Sequence, residues 1–94
     1  MEKVPVVCKE PIYWRAYRDR YLRDGGKSVA YDRVDKDGKV YFPVYLVDSH
    51  SLDRIRGLKL TKVIIYCCHP KQYVMGMLYA MFYENPANFE EIWD

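Results

Sequence analysis

Three thiols and two imidazoles are the side chains best suited to chemistry in this 94-residue chain, and three of the five stand together as Cys67-Cys68-His69. Cys8 and His50 lie elsewhere, so zinc has enough soft donors on paper. The spacing argues against a metal. Neighbouring residues of a strand point to opposite faces, and the chain has neither C-x-x-C nor H-x-x-x-H. Cys68 is the best-placed nucleophile, at a strand end before a helix, where backbone amides can lower a thiol pKa. Val74 nevertheless stands where a phosphatase loop needs its arginine. Asp48, Ser49 and His50 are too close in sequence to face one another as a triad and read as a loop with a helix cap. The expectation is therefore no catalytic residue, metal or cofactor, with a thiol or metal site at Cys67-Cys68-His69 as the least favoured reading.

The second constellation is basic. Arg15, Arg18, Arg20, Arg23 and Lys27 are interleaved with Tyr13, Trp14, Tyr17 and Tyr21, a pattern in which guanidinium groups can hold phosphates while rings stack on bases. Asp19 and Asp24 interrupt it, and the rings share the stripe expected to face the core. A solvated, salt-bridged helix is favoured, with nucleic-acid binding as the alternative. Gly25-Gly26-Lys27-Ser28 resembles the end of a phosphate loop, but Tyr21 occupies the position of the first glycine and the helix precedes the glycines.

The elements that position these groups follow from periodicity. Val4 to Lys9 reads as a short first strand, which Pro5 assigns to an edge or an irregular start. Pro11 opens a helix over Ile12 to Asp24, with Gly25-Gly26 as its stop. Ser28 to Val34 and Lys39 to Val47 flank Asp35-Lys36-Asp37-Gly38 and predict a hairpin, with Pro43 facing an edge or bulge. A capped turn over Leu52 to Arg56 leads to an apolar strand ending at Cys68, which predicts a central position. From Lys71 to Glu84, Val74, Met77, Leu78, Met81 and Phe82 form a helical stripe, and Met75, Tyr79 and Ala80 make the other side apolar too. Phe89, Ile92 and Trp93 suggest a final helical turn, in an acidic tail that can dock on the body.

Composition bounds the rest. The length suits one domain over residues 1–94, and a net charge of +2 is too small to coat nucleic acid or anionic lipid by charge alone. Neither apolar run, Val63 to Cys68 or Val74 to Phe82, approaches the roughly 20 residues of a membrane span. No signal peptide opens the sequence, and an odd number of cysteines suits a reducing compartment, so a cytoplasmic location is expected. Aromatic residues make 16% of the chain, more than so small a core needs, which favours an interface.

Residues 39–69 contain a turn, the strand Lys39-Val40-Tyr41-Phe42, a Ser-rich loop, the element Ile55-Arg56-Gly57-Leu58 and the apolar strand Lys62 to Tyr66. This third of the chain resembles the segment of phage terminase large subunits that approaches the Walker B strand. Cys67 and Cys68 stand where those ATPases carry acidic residues, and the phosphate loop is missing. The resemblance therefore implies a local strand-turn-strand scaffold and a phage origin, with the host cytoplasm as the site of action. Taken together, the expectation is an α+β domain: a mainly antiparallel sheet of three or four strands, packed by two helices and closed by a C-terminal helical turn. The expected function is regulatory or inhibitory binding to a protein of a host or viral enzyme complex, with homodimerisation as a further possibility. Tyr73, Met77, Tyr79, Tyr83 and Trp93 are the candidate anchors.

Overall fold

The computed structural model describes residues 2–55, 58, 60–69 and 89–94. Its elements are β1 (Glu2–Cys8), α1 (Pro11–Tyr17), β2 (Lys27–Ala30), β3 (Arg33–Lys36), β4 (Lys39–Tyr45), α2 (Ser49–Leu52), β5 (Val63–Tyr66) and β6 (Phe89–Ile92). The strands form one sheet in the order β2-β3-β4-β1-β5-β6. β2, β3 and β4 are antiparallel neighbours, whereas β4, β1, β5 and β6 run parallel. This overturns the expected sheet of three or four antiparallel strands.

The reason is β1. Val4 through Cys8 are all buried, because Val4, Val6 and Cys8 face α1 while Val7 faces the side of Ile55. A strand covered on both faces belongs inside a sheet, and β1 lies between β4 and β5 rather than at the edge that Pro5 suggested. Proline is tolerated there because the described β1–β5 pairing starts only at Val6↔Ile64. Pro43 likewise stands past the last β3–β4 pair, Val34↔Tyr41, and its carbonyl accepts from Arg54 Nη1 at 3.2 Å.

The hairpin is tighter than the sequence suggested. Asp37 and Gly38 alone form the turn, with φ of 53° and 76°, the pair of positive values that matches the twist of a two-residue hairpin. The single strand expected over Ser28 to Val34 is instead two, broken at Tyr31-Asp32. That break has a partner: Trp14 Nε1 and Arg18 Nη1 both donate to the Tyr31 carbonyl, at 3.1 and 3.2 Å. The indole is fully buried and needs an acceptor, so the turn forms where α1 supplies the donor.

α1 passes directly into a π-helical segment over Arg18–Leu22. The wider turn lets Trp14, Tyr17 and Leu22 all reach the core, a spacing that a uniform α-helix meets less well. Asp48 Oδ1 caps α2 by accepting from the His50 amide at 3.0 Å, as the capping pattern predicts. The end of the chain corrects a further expectation. Residues 89–92 are a strand, not a helical turn, because Phe89↔Val63 through Ile92↔Tyr66 extends the parallel ladder. The helix expected over Lys71 to Glu84, with Tyr73, Met77, Tyr79 and Tyr83, lies outside the described residues. Among those described, α1 with its π-helical continuation is the one substantial helix, where two were expected. No helix among them is long and apolar enough to cross a membrane.

Gly25 and Gly26 end the helix in different ways. Gly25 takes φ +76° in open space, whereas a Cβ on Gly26 would run into the Leu22 carbonyl and meet Val34. Gly26→Ala is therefore expected to cost about 2 kcal/mol in urea unfolding, and Gly25→Ala about 1 kcal/mol. Equal costs would show that close packing at Gly26 contributes nothing.

Candidate functional site

In the parallel part of the sheet, β4 lies on one side of β1 and β5 and β6 on the other. Open parallel sheets form crevices at the carboxyl ends of strands where the winding reverses in this way. Here those ends carry Cys8 on β1 and Cys67-Cys68-His69 after β5. Cys67 packs against the core under α1 and Cys68 against the core on the opposite face, so the adjacent thiols diverge as strand geometry requires. Cys68 Sγ lies 3.5 Å from the Val7 carbonyl.

The electrostatics argue against the least favoured reading, an activated thiol at Cys68. Burial pushes Cys8 up to about 12 and Cys68 up to about 11, so both remain protonated near neutrality. Desolvation outweighs any benefit from the strand end. Among the described residues no group of three or more His, Cys, Asp and Glu side chains is arranged to hold a metal ion.

Among the described residues, a polar cluster is centred on Asp94, which the sequence placed only within an acidic tail. Asp94 Oδ2 accepts from Tyr66 Oη at 2.8 Å, Tyr21 Oη lies 2.9 and 3.1 Å from the two carboxylate oxygens, and Arg20 Nη1 is 3.0 Å away. The Asp94 amide donates to Cys67 Sγ at 3.4 Å, and the Cys67 amide donates to the Ile92 carbonyl at 2.8 Å. Cys67 reaches this geometry with a φ of 51°, a left-handed conformation uncommon for a side chain with a Cβ. Tyr17 fills the space behind, with ring centroids 5.0 Å from Tyr21 and 5.2 Å from Tyr66. The cluster borders an open depression of about 500 Å³ lined by Ala16, Asp19, Arg20, Arg23, Tyr66 and Asp94.

This arrangement holds rather than transfers protons. The Tyr66 hydrogen bond draws the Asp94 carboxyl below its ordinary range, and Tyr21 and Arg20 act in the same sense against desolvation. Burial and then the bond to Asp94 raise the Tyr66 phenol, while for Tyr21 the bond to Asp94 is the larger cause. An ionised carboxylate with these acceptor sites occupied is a poor base, and it ties the residues just after β6 to the π-helical segment that follows α1. The expected docking of the acidic tail thus has a specific basis.

The basic constellation is only partly available. Arg18 lies 5.5 Å over the Tyr31 ring and 3.7 Å from Asp19, and Arg20 is held by Asp94. Arg15, Arg23 and Lys27 are exposed, without an ion pair among the described residues. Trp14 and Tyr17 are buried and Tyr13 and Tyr21 pack on the core, so these rings are not free for stacking. Of the five expected protein-binding anchors, Trp93 is the one within the described residues. It is 51% exposed and sits against His69, with ring centroids 4.6 Å apart. No protein family, curated protein or solved structure matches this chain.

The clasp has a defined pH window. A carboxyl with a lowered folded-state pKa stabilises above its unfolded value and loses that contribution as pH falls through the folded value. The raised tyrosines behave oppositely, stabilising below their unfolded value and losing that contribution as pH rises through the folded one. Protection of the β6 amides against hydrogen exchange is therefore expected to be flat between about pH 5 and pH 9 and to fall on either side. Asp94→Asn should reduce the plateau and remove this carboxyl's part of the acid limb; an unchanged acid limb would mean that Asp94 does not hold the strand.

Proposed function

We propose that this chain is a small regulatory or inhibitory protein that acts without catalysis, by binding a protein partner at the Trp93 end of the sheet. The reading rests on one observation: a large ring, half in solvent, held against His69 beside a clasped strand end. Exposed tryptophan offers contact area at little entropic cost and is among the residue types enriched where interfaces hold most of their energy. The likeness of residues 39–69 to phage terminase large subunits supports a phage origin, with the host cytoplasm as compartment and a host or viral enzyme complex as target. The partner can also be a second copy of the chain.

A second reading, nucleic-acid binding, is favoured by the exposed charges of Arg15, Arg23 and Lys27, which have no ion pair among the described residues. It predicts salt-sensitive retention on nucleic acid that disappears in an Arg15→Ala, Arg23→Ala double variant.

Trp93 supplies its own reporter. Against the constant emission of the buried Trp14, its fluorescence is expected to shift to the blue when a partner, or a second copy at high concentration, covers the ring. Trp93→Ala should change folding stability by no more than about 0.5 kcal/mol yet weaken that association at least about tenfold. Light scattering on the eluting protein distinguishes self-association from foreign partners. Association that proceeds equally well in Trp93→Ala would remove Trp93 as an anchor.

A further inference from the structure

The register of the sheet also builds a recess on the face opposite α1. Lys3 pairs with Val40, and Val40 with Asp35; Val34↔Tyr41 then places Arg33 across from Phe42. By the two-residue alternation of strands, Lys3, Val40, Phe42 and Arg33 share one face. Arg54, from the 3₁₀ turn Asp53–Ile55, and Leu58 complete a recess of about 350 Å³. Its size lies within the range of small-molecule sites.

The lining divides by chemistry. Val40 and Phe42 form an apolar floor and Leu58 an apolar wall, while cations from β1, β3 and the 3₁₀ turn form the rim. Both guanidinium groups are held in place. Arg33 makes a paired contact with Asp35 at 2.9 and 3.2 Å. Arg54 donates to the Pro43 carbonyl at 3.2 Å, meets Asp32 at 3.1 Å and lies 5.2 Å over the Phe42 ring. A guanidinium has five N–H donors, so each arginine retains donors beyond those contacts. Lys3 is exposed and pairs with no carboxylate among the described residues, which leaves it as the uncompensated charge of the rim.

We propose that this recess is a binding site for a small aryl phosphate, with the phosphate on Lys3, Arg33 and Arg54 and the ring on Val40, Phe42 and Leu58. The remaining N–H donors of the two positioned guanidinium groups, with the Lys3 ammonium, favour a phosphate head, and the apolar floor favours a flat body over a bare ion. None of these residues belongs to the Trp93 end, so the site stands or falls independently of partner binding there.

Calorimetric titration of the full chain with phenyl phosphate at low salt tests the assignment, with inorganic phosphate and phenol as probes of head and body alone. Saturable one-to-one binding is expected, tighter than either fragment by about tenfold. Lys3→Met should weaken it about tenfold with an unchanged melting temperature, as should Arg33→Lys, which keeps the charge but loses the fork. Arg15→Met, on α1, should have no effect. Absence of saturation, equal affinity for inorganic phosphate, or equal losses in Lys3→Met and Arg15→Met would each overturn the proposal.

Discussion

Everything in this molecule depends on β1 being covered on both faces. Four valine or cysteine side chains from one seven-residue strand supply apolar surface to two cores, Val4, Val6 and Cys8 to the one under α1 and Val7 to the other. Each fully buried valine contributes on the order of 2 kcal/mol, and the backbone of the same strand meets β4 on one side and β5 on the other. With both faces and both flanks occupied, β1 cannot lie at an edge. The reversal of winding between β4 and β5 follows, and with it the gathering of Cys8, Cys67 and Cys68 near the carboxyl ends of two neighbouring strands.

The high tyrosine content is used in a way that composition alone does not reveal. Tyr17, Tyr21 and Tyr66 form a stack of rings between α1 and β5, with their apolar bodies in or against the core. Two of their hydroxyls converge on Asp94. Tyrosine suits this position because its ring is buried while its polar tip finds a charged acceptor. Phenylalanine would retain the packing and lose the clasp. Tyr31 does something different, since its backbone carbonyl accepts from Trp14 and Arg18 while its ring lies under the Arg18 guanidinium.

The same burial that stabilises the sheet limits what its thiols can do. A thiol becomes nucleophilic as its thiolate, and Cys8 and Cys68 sit where the charged form is disfavoured. Several surface cations are held in pairs, Arg20 with Asp94, Arg33 with Asp35 and Arg54 with Asp32. Among the described residues, the Trp93–His69 pair at one end of the sheet and the cation-rimmed recess on one face are two surface features set by this packing. Both are held by elements whose main role is packing.

Local rules made part of this legible from sequence. Asp37-Gly38 specifies its turn because both positions require positive φ, Asp48 specifies a cap because its carboxylate reaches the His50 amide, and the apolar run ending at Cys68 specifies an inner strand, observed over Val63–Tyr66. The divergence of Cys67 and Cys68 likewise follows from strand geometry alone. Long-range pairing decided the rest. Pro5 reads locally as an edge signal, and only the staggered start of the β1–β5 ladder makes it compatible with the centre. Residues 89–92 have a helix-like spacing of apolar side chains but become a strand because β5 offers an unpaired flank. Nothing in the sequence links Arg20 and Tyr21 to Asp94, or Lys3 to Arg33 and Arg54, because those neighbours are set by strand order rather than by spacing. Sequence by itself therefore determined the Asp37-Gly38 turn, the Asp48 cap and the apolar runs of β1 and β5, where the energy is local; tertiary structure alone decided the Tyr31-Asp32 break, the last strand and which strands became neighbours, because those choices depend on long-range partners and on burying both faces of β1 at once.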